Sequence, residues 1–494
     1  MPEEFKLKIA GDVRVRIAPS PTGHFHIGNA RTALFNYLFA KKNNGSFVLR
    51  IEDTDKERSK PEYAEDIIEE LKWLGLNWTE GPDIGGKYGP YKQSERLNIY
   101  RRYLEGLLKE NKAYRCFCTE DELESQRQYH YSQGEAPRYS GKCSQLSKEE
   151  IEKCLKEGKP WVLRFRSKAK KIVFEDMVRG RVEFDSGLIG DMVIAKDLDT
   201  PLYNFAVVID DFEMKISHVI RGDDHLSNTP KQILMQEALG IPQPQYAHLP
   251  MILGEDRSKM SKRHGDTSVL SYRKAGYLPE TLVNFMAFLG WNPGDEREIF
   301  SLPALVKEFS FEKVQKAGAI FNSQRLDFLN GFYIRQKSNE KLAELCAPYL
   351  IEAGLIRKED VLSAELSKII SLYKERLKKL SEITDLADFF FKDKLVYEKD
   401  LLKWKTMIYP EIKDSLSLSE KILSGINKKD WTKENIENIL MAEAEKSGDR
   451  GRILWPLRVA LSGKKASAGP FEIAEILGKE KTIKRIEEAK EILS

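Results

Sequence analysis

Val13-Arg14-Val15-Arg16-Ile17-Ala18 alternates as a strand does, and a Pro/Gly-shaped turn follows it directly. Ala30 to Ala40 then reads as a helix, which Gly45 breaks. Phe47-Val48-Leu49-Arg50-Ile51 is a second strand, ending at Glu52-Asp53. A further helix starts near Pro61, a favoured first-turn residue, and runs to Leu74. Strand–helix–strand–helix is a βαβ unit and predicts an α/β fold with a parallel sheet. In such sheets chemistry gathers at the carboxyl ends of the strands. Pro19 to Asn29, and Glu52, both fall at such ends.

The texture changes from about Tyr114 to Phe184, where cysteines, charged turns and short strands such as Trp161-Val162-Leu163-Arg164-Phe165-Arg166 occur. This stretch reads as an insertion between two halves of the sheet. The sheet is predicted to resume around Asp191-Met192-Val193-Ile194. Phe205 to Ile209 is apolar, and Lys215 to Ile220 is another strand, ending at Arg221. Helices such as Leu278 to Leu289 come after Gly265, and from about Leu342 the pattern is helical and rich in Lys and Glu.

With 494 residues, three to five domains are expected. At 41% hydrophobic and 32% charged residues, the composition excludes a disordered or membrane chain. No apolar run approaches a membrane span, so no membrane partner is expected. Met1-Pro2-Glu3-Glu4-Phe5-Lys6 is acidic where a signal peptide is basic. Five cysteines, an odd number, fit a reducing compartment, and the expected location is the cytoplasm. A net charge of +3 neither demands nor excludes a nucleic-acid partner, since local basic surfaces can serve one.

Two segments carry the chemistry. In Pro19-Ser20-Pro21-Thr22-Gly23-His24-Phe25-His26-Ile27-Gly28-Asn29, a strand turns sharply into a helix N-terminus. Backbone N–H groups and the helix dipole there suit phosphate. Gly23 and Gly28 permit close backbone approach, and His24 and His26 add imidazole donors. A plain βα turn with exposed histidines is the competing reading. The second segment, Lys259-Met260-Ser261-Lys262-Arg263, lies between Gly254 and Gly265 as a basic loop able to move. A solvated basic turn is its competing reading. Together the two can close on one triphosphate from opposite sides.

The pair resembles the HIGH and KMSKS signatures of class I aminoacyl-tRNA synthetases. The wider wording is similar to the bacterial glutamyl-tRNA synthetases. It includes Arg16 to Gly23, Ile51-Glu52-Asp53-Thr54-Asp55, Tyr203 to Asp211, and His218 to His225. Two positions depart from the signatures. Asn29 stands where the first has its second histidine, and Arg263 where the second ends in serine.

The resemblance implies a Rossmann-like catalytic domain (1–96 and 201–255) and an inserted α+β domain at 97–200 that holds the tRNA acceptor end. A stem-contact domain with the mobile loop (256–338) and two helical anticodon-binding subdomains (339–390 and 391–494) follow, making the C-terminal region all-α. It implies ATP-dependent attachment of L-glutamate to tRNA(Glu) through a glutamyl-adenylate, with Mg²⁺ on the phosphates. Charging of tRNA(Gln) as well is the alternative. His26, Lys259 and Lys262 are the implied catalytic residues. His24, His26, Gly28, Asn29, Lys259, Met260, Ser261 and Lys262 form the implied ATP site. Arg16, Ser20, Glu52, Tyr203 and Arg221 form the implied glutamate site, with Arg221 reading the side-chain carboxylate. Cys116, Cys118 and Cys143, completed by Tyr139, match a zinc variant of the family, and three unmetallated thiols remain the other reading. Arg376, Trp455, Arg458 and Lys464 are candidate tRNA contacts. A monomer is expected. Two rival readings are an adenylating enzyme without tRNA and a non-catalytic RNA-binding relative. The helical tail opposes the first. His26, Lys262, Arg16 and Arg221 oppose the second.

Overall fold

The computed structural model describes residues 13–261, 263, 267–361 and 363–493. The chain divides into two compact units. One holds the residues up to Arg273 together with Pro279–Ser323, and the other holds Lys274–Leu278 with Gln324–Ser494.

β1 (Arg14–Ile17), α1 (Ile27–Lys42) and β2 (Ser46–Leu49) form the leading βαβ unit, with α2 (Pro61–Trp73) after it. β1 and β2 pair in parallel, Arg14 opposite Ser46 and Ile17 opposite Leu49. α1 ends on Lys41 and Lys42, whose charges suit the negative end of the helix dipole. The return to β2 needs Gly45, because a Cβ there would sit 2.2 Å from the Val13 carbonyl oxygen. Ala33, Leu34, Phe35 and Leu38 of α1 are fully buried.

The chain continues through α3 (Leu97–Lys109), β3 (Ala113–Cys116), α4 (Glu120–Ser132), α5 (Lys148–Lys156), β4 (Val162–Phe165), β5 (Lys171–Asp176), β6 (Gly180–Asp185) and β7 (Val193–Ala195). It then runs through α6 (Tyr203–Glu213), β8 (His218–Gly222), α7 (Thr229–Leu239), β9 (Gln245–Leu249), β10 (Ile252–Leu253), α8 (Val269–Lys274), α9 (Pro279–Ala287), α10 (Leu302–Glu308) and β11 (Ala319–Ile320). β8 and β9 are parallel, and β5 joins β9 in parallel with Asp176 opposite Tyr246. β6 closes that sheet as an antiparallel edge. β1 and β8 start side by side, where the Ser217 N–H donates to the Arg14 carbonyl at 2.9 Å. Asn36 of α1 fastens the same pair by donating to the Ile220 carbonyl at 3.1 Å. The parallel strands therefore present their carboxyl ends along one edge.

One sequence expectation needs correction. Residues 191–194 do not resume the parallel sheet, because β7 pairs antiparallel with β4 in the separate β3-β4-β7 sheet. The apolar Phe205–Ile209 run lies inside α6, buried throughout. Short apolar runs carry no periodicity that separates a buried helix from a strand or names a strand's partner.

The second unit comprises α11 (Ser323–Arg335), α12 (Asn339–Glu352), α13 (Ala364–Tyr373), α14 (Ile383–Phe391), α15 (Tyr409–Ser424), α16 (Lys433–Lys446), α17 (Gly451–Ser462) and α18 (Pro470–Ile492). Residues after β11 contain no strand among those described. Its core includes Leu342, Ile369, Ile383, Leu416, Leu440, Leu457 and Ile486. Arg485, buried among them, donates to the carbonyls of Phe389, Lys392 and Leu461. It thereby satisfies carbonyls left open at the ends of α14 and α17. α18 breaks at Gly478, whose φ of +74° is open to glycine without strain.

Candidate active site

A cleft of about 320 Å³ opens at the carboxyl edge of the parallel sheet. Arg16, His26, Gly28, Asn29, Glu52, Tyr203, Arg221, Lys259 and Met260 line it. Stretches far apart in the sequence thus converge on one space. Ser20 and His24 are exposed and lie outside the lining, as does Ser261. His24 faces Asp66 instead, Nδ1 to Oδ1 3.1 Å. Lys262 lies outside the described residues.

His26 caps α1. Its Nδ1 accepts the Gly28 N–H at 2.9 Å, so the neutral ring carries its proton on Nε2. The basic loop is anchored to this turn. Beyond it, the Ile27 N–H donates to the Thr267 carbonyl at 2.9 Å and the Val269 N–H to the Phe25 carbonyl at 2.8 Å. Within it, the Met260 N–H donates to the Ile252 carbonyl at 3.0 Å.

The floor is a buried charge network. Arg16 donates to both Asp211 oxygens, at 3.1 and 3.3 Å. Arg50 donates to Asp211 Oδ1 at 2.8 Å and to Glu52 Oε1 at 2.9 Å. Burial works against the Asp211 charge, but Arg16 and Arg50 outweigh it and hold the carboxyl below its usual range. At Glu52 burial wins over Arg50, and the carboxyl is pushed up.

Tyr203 lies 3.1 Å from His225, hydroxyl to Nδ1. Burial, and then the Glu52 charge, push the Tyr203 phenol up to about 12. Burial, and then the Arg221 charge, push His225 down to about 4, so both groups are neutral at pH 7. Arg221 leaves the end of β8, buried, with Nη2 donating to Thr229 Oγ at 2.8 Å and Nε to His248 at 3.2 Å. Its Nη1 is buried without a hydrogen-bond partner. Such a donor needs an acceptor from whatever fills the cleft.

The sequence does not single out Asp211, His225 or His248. It also passes over Arg31, which donates to the carbonyls of Leu289 and Pro250 and fixes the cleft wall. Asp211 and His225 fall within motif-bearing stretches, but nothing local reveals that the fold turns them inward.

Away from the cleft, Cys116, Cys118 and Cys143 converge with all three Sγ atoms within 4.8 Å of one another. The Tyr139 hydroxyl stands 3.4 Å from Cys116 Sγ and 3.4 Å from Cys118 Sγ. Three sulfurs and one oxygen on a common centre form a donor set that suits tetrahedral zinc. In the second unit, Arg376, Trp455, Arg458 and Lys464 each bond a carbonyl of the same unit, at Ser467, Leu401, Lys465 and Asp385.

Residues 12–328 match the family of class I tRNA synthetases (E and Q), catalytic domain, and residues 341–490 match an anticodon binding domain. The chain is 49% identical over 480 residues to glutamate–tRNA ligase 1 of Caldicellulosiruptor saccharolyticus, covering 96% of this chain and 98% of the relative. It is 46% identical to the glutamate–tRNA ligase of Carboxydothermus hydrogenoformans, covering 96% and 99%. A crystal structure of a glutamate tRNA ligase from Elizabethkingia meningosepticum, in complex with its amino acid, superposes with a TM-score of 0.85 at 37% identity. That match covers 98% of this chain and 100% of the other. A cleft built from both signature segments, on a chain matched nearly end to end, places this protein in the glutamate–tRNA ligase family of class I tRNA synthetases.

Proposed function

We infer that the protein joins L-glutamate to tRNA(Glu) in two steps driven by ATP. In the first, an α-carboxylate oxygen of glutamate attacks the α-phosphorus and pyrophosphate leaves, giving glutamyl-adenylate. In the second, a ribose hydroxyl of the tRNA's terminal adenosine attacks the glutamyl carbonyl and AMP leaves. Positioning and charge stabilisation supply most of the rate in such transfers.

The observation that carries this reading is the shared cleft of the His26 turn, the Lys259 loop, Arg16, Glu52 and Arg221. His26 would donate from Nε2 to the crowded α-phosphate, because its Nδ1 is committed to Gly28. Lys259, with Lys262 from the same loop, would neutralise charge growing on the leaving pyrophosphate. Mg²⁺ would enter on the phosphate oxygens of ATP. Arg16 and Arg221 would pair with the two carboxylates of glutamate. Glu52 would face its ammonium, with Tyr203 adding a hydroxyl.

Cys116, Cys118, Cys143 and Tyr139 would hold a structural zinc ion in the inserted domain that receives the acceptor end. The second unit would meet the anticodon. Its four candidate contacts are already bonded within the unit, so they would reach RNA only through their remaining donors or ring faces.

The test is aminoacylation of separate tRNA(Glu) and tRNA(Gln) with radiolabelled glutamate, ATP and Mg²⁺. Charging of tRNA(Glu) is expected. Failure to charge either tRNA overturns the reading, and charging of both selects the broader specificity.

A further inference from the structure

Behind the cleft, three neighbouring strands each send one side chain into a single buried row. Asp176 ends β5, His248 lies in β9, and Arg221 lies in β8 directly opposite His248 in the strand register. His248 Nδ1 is 2.6 Å from Asp176 Oδ2, and both side chains are fully buried. His248 Nε2 is 3.2 Å from Arg221 Nε and 3.0 Å from Thr229 Oγ. Asp176, His248 and Thr229 do not line the cleft.

The protons in this row have one consistent arrangement. Guanidinium N–H groups only donate, so His248 Nε2 must accept from Arg221. The imidazole proton then sits on Nδ1 and is donated to Asp176. Asp176 is itself fixed by the backbone N–H groups of Val178 at 2.9 Å and Arg179 at 2.8 Å. Burial also pushes His248 toward its neutral form. Phe174 and Tyr246 pack beside the ring, with centroids 6.4 and 6.1 Å away.

This choice of support has a consequence for Arg221. Arg16 has an ion pair with Asp211, which it shares with Arg50. Among the described residues, Arg221 has no ion pair, and its hydrogen-bond partners, an imidazole and a hydroxyl, and the Tyr246 ring beneath its guanidinium are all neutral. It is held in place without losing its charge. A carboxylate in the place of His248 would orient the arginine equally well, but it would also satisfy it.

We propose that His248, set in its Nδ1–H tautomer by Asp176, is a positioning residue that holds Arg221 as an un-neutralised cation for the side-chain carboxylate of the amino acid. The proposal rests on the glutamate reading given above. It gives Asp176 and His248, which do not line the cleft, a part in the discrimination between glutamate and its amide that Arg221 carries out.

The test combines a tautomer measurement with kinetics on full-length protein. In selectively ¹⁵N-histidine-labelled protein, His248 is expected to show a protonated Nδ1 and a bare Nε2. Asp176→Asn offers an amide N–H in place of the acceptor and should reverse the tautomer, turning Nε2–H against Arg221. KM for glutamate should then rise about tenfold to a hundredfold, the scale of one lost supporting hydrogen bond to a charged group. KM for ATP should stay within about twofold, a difference too small to reflect a lost contact. His248→Gln keeps an acceptor for Arg221 and should recover part of the loss that His248→Leu shows. A protonated Nε2 in the wild type overturns the proposal. So does an equal rise in KM for ATP, or equal losses in the Gln and Leu variants. A wild type that charges no tRNA with glutamate strikes the functional reading instead, and the tautomer still decides whether the row is built as described.

Discussion

Lys259 of the basic loop pairs with Asp224 on the facing wall of the cleft, Nζ to Oδ2 3.2 Å. The lysine side chain is 61% exposed and the aspartate 46%. The incoming triphosphate must therefore compete with a carboxylate for this lysine. Exposed pairs are weak, so the contact rests the loop without locking it. Asp224→Asn should lower KM for ATP, by no more than about fivefold, and flatten its dependence on salt. ATP–pyrophosphate exchange across a salt series checks this. A raised KM would mean that Asp224 contacts the nucleotide.

Arg221→Gln should remove the cation whose Nη1 is buried without a partner. Loss of one charged hydrogen-bonding group costs roughly 1.5–3 kcal/mol, so kcat/KM for glutamate should fall about tenfold to 150-fold. Glutamine should lose little, and the ratio between the two amino acids should narrow. Competition between labelled glutamate and glutamine in adenylate formation reads the ratio directly. An unchanged ratio removes Arg221 from the specificity argument.

Much of this was legible in the sequence, and the reason differs by residue. His26, Gly28 and Glu52 were readable because they follow the two strands of the leading βαβ unit, and the fold puts chemistry at those ends. Lys259 and Met260 were readable as a basic loop, although only the backbone bonds from Phe25–Ile27 to 267–269 explain how it is tied beside His26. Asp211 was not readable. It follows Asp210 on a buried apolar helix, and the pair divides its work. Both reach Arg50, Asp211 at 2.8 Å and Asp210 at 3.6 Å, but Asp211 also serves Arg16, while Asp210 serves Gln93, Arg96 and Tyr100. Which carboxylate faces which partner is a matter of packing between distant segments. His248 was hidden in the same way, since its partners come from the β5 and β8 regions and nothing in its own strand announces them.

Metal analysis should find stoichiometric zinc in protein purified without chelator. The three sulfurs already lie within 4.8 Å of one another, so little rearrangement separates thiols from a filled site. Cys143→Ser should lose the metal, and a strong chelator should lower the melting temperature of the wild type but not of the variant, because binding energy at such a site is folding energy. Metal-free protein that melts identically with and without zinc would leave the cluster as ordinary thiols.

Asp211→Asn tests the floor of the cleft through stability. Asp211 compensates two buried guanidiniums, and removing one partner of a buried pair costs about 3–5 kcal/mol. The pH dependence fixes the cause. Arg16 and Arg50 overcome burial and hold the Asp211 carboxyl below its ordinary value of 3.8, so its contribution is complete above that value and fades as pH falls through the lowered one. Glu52 runs the other way. Burial raises its carboxyl above the ordinary 4.5, so its contribution is present at low pH and is lost as pH rises through the raised value. Glu52 remains in both proteins and shares Arg50 with Asp211, and the loss of the gap in acid is the mark of Asp211 itself. Urea unfolding of wild type and variant from pH 7 downward should therefore show a gap that is full at neutrality and closes in acid, where Asp211 becomes protonated and resembles the amide. A gap that stays constant into acid would show that the ionised carboxylate is not what holds Arg16 and Arg50 in place.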